Sequence, residues 1–208
     1  MKVFAVLVSV LGAASAFAPV SNVKTINTQL ASTIEDKSDA LPFLPYPPNT
    51  KGLPGSVGFD PLRISDYFPI DYLVEAELKH SRLAMLAFLG FVSVDLGFKI
   101  YPLPEAYAGV SSIQAHDVAV ETGAMGQIFL FVAIFEMISY ISVSQMLQGS
   151  GRAPGDYGFD PLAFSKDKSP EEMFKLKTQE IKNGRLAMMA IGGILTQAVL
   201  NGKGFPYF

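Results

Sequence analysis

Three long, mostly apolar stretches lie along the chain, over about 70–99, 117–148 and 170–201. Each holds about thirty residues, more than the roughly 20 that an α-helix needs to cross the hydrocarbon core of a bilayer. Residues that favour a helix start precede all three: Pro69 with Asp71, Asp117, and Ser169 with Pro170. The pattern therefore predicts an all-α membrane protein with three transmembrane helices, long enough to tilt.

The first sixteen residues have the features of a signal peptide. Lys2 is followed by a short apolar core and by small residues at Ala14 and Ala16. Residues 17–35 are rich in Ser and Thr and contain no acid before Glu35, as in plastid transit peptides. The junction ASAFAP resembles the bipartite targeting sequence of plastid proteins in red-lineage algae such as diatoms. A simple secretory signal is the alternative.

We predict an extended arm over residues 36–69, because seven Pro and Gly residues lie between positions 42 and 55. No helix is expected before Pro69. Lys and Arg residues cluster over 149–177 and are absent over 100–116. By the positive-inside bias, the arm and the N-terminal ends of the first and third helices face the plastid stroma.

Composition narrows the class of protein. Half of the residues are hydrophobic (50%) and only 17% are charged, as in a membrane protein. The formal net charge of -3 provides no basic surface for nucleic acid. The absence of cysteine excludes thiolate nucleophiles and Cys-ligated metal sites.

Two motifs recur in the same order. ELKHSRLAMLA at 77–87 matches EIKNGRLAMMA at 180–190, and GFDPL occurs at 58–62 and again at 158–162. The first and third helices are therefore duplicates separated by the second helix. Parallel duplicates in a membrane protein indicate pseudo-two-fold symmetry about the membrane normal.

The repeated charges need partners from the opposite copy. Glu and Arg lie five positions apart in each motif, which places them about 140° apart around a helix. A charge near the bilayer centre costs about 2.5 to 3.5 kcal/mol or more. The first and third helices are thus expected to cross, with Glu77 paired to Arg185 and Glu180 paired to Arg82. Small residues permit the close approach: Ser81, Ala84, Gly184 and Ala187.

His80 and Asn183 lie three positions after the glutamates and have no evident charged partner. Polar residues within a transmembrane helix indicate function. They suit the axial position of a magnesium already held by a macrocycle, as in chlorophyll. Hydrogen bonding between helices is the alternative.

The motifs E-x-x-H-x-R and E-x-x-N-x-R, each followed by L-A-M and preceded by G-F-D-P, resemble the chlorophyll-binding light-harvesting family. The resemblance covers about 55–203 and is strongest to its fucoxanthin chlorophyll a/c branch. It implies a three-helix domain over 70–208 and, as pigment ligands, Glu77, His80, Gln127, Glu136, Glu180, Asn183 and Gln197. For Gln127, a position at the membrane interface is the alternative.

The chain departs from green-plant members of that family in several places. It contains no tryptophan, and Val94 occupies the first-helix position equivalent to Gln197. The spacing of nine between Gln127 and Glu136 is one longer than in those members. Asp95, Gln145 and His116 are further candidate ligands, with capping or a surface position as the alternative.

The resemblance implies a light-harvesting antenna of the plastid thylakoid membrane and not an enzyme. Its cofactors would be chlorophyll a, chlorophyll c, fucoxanthin and related carotenoids. Its partners would be a photosystem core, with photosystem I favoured, other antenna subunits and thylakoid lipids. A photoprotective member of the same family and a small three-helix membrane transporter are the alternatives; a transporter would be colourless.

We predict that the mature protein lacks at least residues 1–16, because the apolar core ends in a small-residue cleavage site before Phe17. N-terminal sequencing of protein from thylakoids measures this. An intact Met1 in that material would contradict the targeting hypothesis.

Overall fold

The computed structural model describes residues 37–98, 102 and 104–207. These residues form helices and connecting segments without a strand, and an isolated β-bridge joins Lys37 to Pro45. The helices are α1 (Ile64–Tyr67), α2 (Ile70–Asp95), α3 (Ala115–Glu121), α4 (Ala124–Leu147) and α5 (Pro170–Asn201). The prediction of an all-α chain is confirmed, whereas the predicted targeting segments 1–16 and 17–35 lie outside the described residues.

The N-terminal arm contains a short helix that the sequence analysis does not predict. Asp60 stabilises the start of α1, because its two carboxylate oxygens accept hydrogen bonds from the backbone N–H groups of Ile64 and Ser65, each at 2.9 Å. Burial alone would raise the pKa of Asp60, but these hydrogen bonds outweigh burial and lower it. The expectation of no helix before Pro69 is therefore wrong.

Two glycines change the bounds expected for the first and second long helices. α2 ends at Asp95 because Gly97 has φ 78° and closes the helix, with Phe98 N–H donating to Ser93 O at 3.0 Å. The single helix expected over 117–148 is two helices, α3 and α4, which separate at Gly123 with φ 78°. A positive φ interrupts the regular backbone of a helix.

α5 starts where its sequence predicts. The Ser169 hydroxyl accepts a hydrogen bond from the N–H of Glu172 at 3.3 Å, and the Glu172 carboxylate accepts one from the N–H of Ser169 at 3.0 Å. This reciprocal capping box, with Pro170 in the first turn, satisfies donors that a helix start leaves open.

α2 packs closely against α5 through small residues. Ser81 is 0% exposed, and Ala84, Gly184 and Ala187 are buried with it. A Cβ atom at Gly184 would clash with the Cβ and Oγ of Ser81. α2 and α5 thus lie close together at these small residues.

The C-terminal tail packs on the C-terminal ends of α2 and α5. Tyr207 is buried against Ile194 and Ala198. Asp95 accepts hydrogen bonds from Ser112 N–H and Oγ, both at 2.8 Å, and from the N–H of Phe205 at 3.2 Å. Burial, and then the neighbouring Asp95 carboxylate, raise the pKa of Tyr207 to about 12.

α4 is the one helix of the described ranges that is long and apolar enough by itself to cross a membrane. Only 6% of its most apolar stretch is buried within the protein. α4 thus presents an apolar surface nearly all round, which a surrounding apolar medium would cover.

We predict that Gly184→Ala destabilises the purified protein by about 1 to 3 kcal/mol, because the added methyl group overpacks the contact with Ser81. Gly126→Ala on α4 is the matched control, since a Cβ there meets nothing within 4 Å. Thermal unfolding followed by circular dichroism compares the two variants. Equal stability of both would contradict the close contact at Gly184.

Candidate functional site

Two ion pairs join α2 to α5. Arg185 Nε lies 2.6 Å from Glu77 Oε1, and Arg82 Nε lies 2.8 Å from Glu180 Oε1. The structure thus brings together the two pairs that the duplicated motif leads us to expect. Each pair takes its acid from one helix and its base from the other.

Each arginine also holds the loop that precedes the opposite helix. Arg185 Nη1 donates to Gly55 O at 2.7 Å, and Arg82 Nη1 donates to Gly155 O at 2.9 Å. Sequence reasoning missed these contacts. A signal was present, because a Pro-Gly pair at 54–55 recurs at 154–155, just before each GFDPL motif.

The aspartates of the two GFDPL motifs accept the same hydrogen bonds, although the described residues after the second motif form turns where the first copy has α1. Asp160 accepts hydrogen bonds from the N–H groups of Phe164 at 3.1 Å and Ser165 at 2.8 Å, as Asp60 does in the first copy. The Ser165 hydroxyl and these N–H groups lower the pKa of Asp160. The duplication is therefore visible in the loops as well as in the helices.

His80 is exposed on α2 with one ring nitrogen already engaged. Its Nδ1 lies 2.7 Å from the carbonyl oxygen of Ala76. A carbonyl can only accept, so Nδ1 carries the proton and Nε2 keeps its lone pair. A histidine held in this way is prepared to bind a metal through Nε2.

The predicted amide ligands lie on exposed positions of two helices. Asn183 and Gln197 belong to α5, and Gln127 belongs to α4. Within the described ranges, none of these three side chains makes a hydrogen bond. The structure does not bring them to one place, as expected if each holds a separate ligand.

Glu136 on α4 has a basic partner that the sequence analysis does not predict. Lys79 Nζ on α2 lies 2.6 Å from Glu136 Oε2. The duplicate position on α5 is Lys182, which has no ion pair with any residue that the structure describes. The repeat alone could not reveal this difference, because only the three-dimensional structure shows that α4 lies beside Lys79.

The donor atoms would fit the magnesium of a chlorophyll, because magnesium accepts carboxylate, amide oxygen and imidazole. In the described part of the chain, no hydrogen bond occupies Oε2 of Glu77 or Glu180. Each carboxylate thus keeps one oxygen for a metal after it has paired with arginine.

An open groove of about 470 Å³ adjoins one of these carboxylates. It lies between the N-terminal arm and the helices α2 and α5. Its lining includes Val57, Phe59, Val74, Glu77 and Arg185. A mostly apolar wall with a single ion pair suits a large, flat, apolar ligand with a metal centre.

The remaining candidate ligands have other surroundings. Asp95 accepts three hydrogen bonds from Ser112 and Phe205, so it joins the end of α2 to the segment before α3 and to the C-terminal tail. His116 Nδ1 lies 3.1 Å from Asp117 Oδ1 on an exposed surface. Gln145 is exposed near the end of α4.

The sequence matches a family model over most of its length. The model described as "Chlorophyll A-B binding protein" matches residues 46–199. The chain belongs to the chlorophyll a-b binding protein family. This span includes both copies of the motif and all seven predicted ligands.

Similar proteins of this family come from algae and plants. The chain is 28% identical to fucoxanthin-chlorophyll a-c binding protein D of Phaeodactylum tricornutum, over 94% of this chain and 95% of that protein. It is 32% identical to a fucoxanthin-chlorophyll a-c binding protein of Trieres chinensis, over 92% of each. It is 34% identical to photosystem I chlorophyll a/b-binding protein 5 of Arabidopsis thaliana, over 89% of this chain and 79% of that protein.

Membership of the chlorophyll a-b binding protein family decides the class of function. The protein is a light-harvesting antenna, and the family is one of pigment-binding proteins rather than enzymes. Neither the transporter nor the photoprotective alternative is favoured. The pigments carry the photochemistry, whereas the protein fixes their positions.

We predict that Lys79→Met weakens the attachment of α4 and lowers the melting temperature of the pigmented protein by a few degrees. An exposed pair contributes at most about 1 kcal/mol in water, and lipid around α4 should strengthen the pair. Lys182→Met is the matched control at the duplicate position. If both variants melt alike, the Lys79–Glu136 contact does not support the fold.

Proposed function

We propose that the protein is a multi-pass antenna of the plastid thylakoid membrane, with α2, α4 and α5 as its three transmembrane helices. α2 and α5 cross at Ser81 and Gly184 and are related by pseudo-two-fold symmetry. The two reciprocal ion pairs and the two matching Arg–Gly contacts support this arrangement.

One observation carries the assignment of the pigment sites. Each of Glu77 and Glu180 is neutralised by an arginine of the opposite helix and still has an oxygen without a hydrogen bond. An isolated charge is costly in lipid. The arginine supplies the counter-charge, and the second carboxylate oxygen is left to bind a metal.

Each proposed pigment ligand lies on a helix and keeps one donor atom without a hydrogen bond in the described residues. These ligands are Glu77, His80, Gln127, Glu136, Glu180, Asn183 and Gln197. At Glu136, Lys79 takes the role that arginine has in the other two carboxylate sites. Bound chlorophyll a, chlorophyll c, fucoxanthin and related carotenoids absorb light and pass on the excitation.

The orientation follows from charge. Lys and Arg residues lie before α5 and are absent over 100–116, so the arm and the start of α2 face the stroma. Proteins of this family associate with photosystems. We favour photosystem I as the partner, beside other antenna subunits and thylakoid lipids, because one relative is named as a photosystem I protein.

The function is tested by purifying the protein from thylakoids in mild detergent. We expect absorption bands of chlorophyll a, chlorophyll c and fucoxanthin. The fluorescence excitation spectrum, recorded at chlorophyll a emission, should contain the fucoxanthin band, because energy passes between the pigments. Purified protein without chlorophyll would contradict the function, and absence of the fucoxanthin band would contradict its branch of the family.

We predict that His80→Ala loses about one chlorophyll per chain on reconstitution, whereas the helices still assemble, because His80 takes no part in the ion pairs. His116→Ala is the matched control outside the predicted set. Pigment analysis by chromatography gives the stoichiometry. A chlorophyll content equal to that of the wild type would remove His80 from the ligands.

A further inference from the structure

Glu75 is the most deeply buried acidic side chain of the described residues. It lies on α2, two positions before Glu77, and is only 3% exposed. Its Oε2 accepts hydrogen bonds from Arg152 Nη2 at 3.0 Å and from the N–H of Gly155 at 2.5 Å. Its Oε1 accepts one from the hydroxyl of Tyr157. All three donors belong to the loop between α4 and α5.

These contacts hold the loop closely against α2. A Cβ atom at Gly155 would clash with the side chain of Leu78. Arg152 also lies over the ring of Tyr157, at 4.9 Å from the ring centre. The Tyr157 hydroxyl is 3.3 Å from Ser139 Oγ on α4. Glu75 therefore fixes the loop at a point where α2 and α4 both contact it.

Gly155 connects Glu75 to the proposed pigment site at Glu180. Its N–H donates to Glu75, and its carbonyl oxygen accepts from Arg82 Nη1 at 2.9 Å. The Nε of the same arginine donates to Glu180 Oε1 at 2.8 Å. A continuous series of contacts thus runs from Glu75 through Gly155 and Arg82 to Glu180.

The other copy of the repeat lacks this support. The position equivalent to Glu75 is Thr178, whose hydroxyl donates to Phe174 O of its own helix at 2.9 Å. Arg152 and Tyr157 are replaced there by Gly52 and Val57. Glu75, Arg152 and Tyr157 form the Glu75 cluster beside the Arg82–Glu180 pair. None of the three has a counterpart beside the Arg185–Glu77 pair.

We propose that Glu75 is a positioning residue for the pigment ligand Glu180. By fixing the Gly155 carbonyl, Glu75 directs Arg82, and Arg82 then holds one oxygen of Glu180 and leaves the other for magnesium. The inference rests on the proposed function. Of the two pseudo-symmetric carboxylates, only Glu180 is positioned in this way, since Thr178 replaces Glu75 on the Glu77 side.

The test compares variants of the full chain reconstituted with chlorophylls and carotenoids. The absorption band of the pigment at Glu180 is first identified from the difference spectrum of the double variant Glu180→Leu with Arg82→Leu, which removes both charges together. The band of the pigment at Glu77 is identified from the double variant Glu77→Leu with Arg185→Leu.

We expect Glu75→Ala to lose about one chlorophyll per chain, with a difference spectrum that matches the Glu180 band. Glu75→Gln should lose less, because its amide oxygen still accepts from the N–H of Gly155. Tyr157→Phe removes one donor without a change on α2, so it should shift the same band even if Glu75→Ala does not assemble. Thr178→Ala is the control at the duplicate position and should leave both bands unchanged.

Two results would overturn this inference and leave the proposed function standing. In the first, Glu75→Ala and Tyr157→Phe lower thermal stability but leave the Glu180 band unchanged. In the second, both bands decrease equally, as expected for a purely structural anchor. A wild-type chain that binds no chlorophyll would instead overturn the proposed function, and this inference with it.

Discussion

The neutralisation of charge between α2 and α5 is the interaction on which the rest of the structure depends. Ionised carboxylates are costly in lipid, yet a carboxylate binds magnesium in its ionised form. An arginine from the opposite helix meets both conditions, since it cancels the net charge and still leaves one oxygen free. This pairing requires the two backbones to approach closely, which explains the small residues Ser81 and Gly184 at the contact.

The same arginines connect the helices to the loops. Arg82 and Arg185 each divide their donors between a carboxylate and a glycine carbonyl. The bidentate shape of guanidinium permits this, whereas lysine would supply one point of charge. Lysine is found where a single contact is enough, at the pair between Lys79 and Glu136. These contacts thus connect the helices and loops to the three proposed carboxylate ligands, Glu77, Glu136 and Glu180.

The duplication made much of the candidate site predictable from sequence. Two copies of one motif determined which Glu faces which Arg, because neither charge can reach a partner on its own helix. The repeat could not predict Lys79–Glu136 or the Glu75 cluster, since both depend on a neighbour that one copy has and the other lacks. The predicted helix bounds were wrong at Gly97 and Gly123, where a single glycine with positive φ interrupts the helical backbone. The helix at Ile64–Tyr67 was missed because the Pro- and Gly-rich context gave no sign that Asp60 accepts hydrogen bonds from the first two N–H groups of this helix.

The most direct measurement of the cross-helix pairing is a charge exchange, Glu77→Arg with Arg185→Glu, compared with both single variants. Each single variant places like charges together, and disruption of a buried pair costs about 3 to 5 kcal/mol. The account predicts that the exchange melts well above both single variants, although the lost contact with Gly55 keeps it below the wild type. It also predicts one chlorophyll fewer, because the carboxylate has left position 77. An exchange no more stable than the weaker single variant would contradict the account.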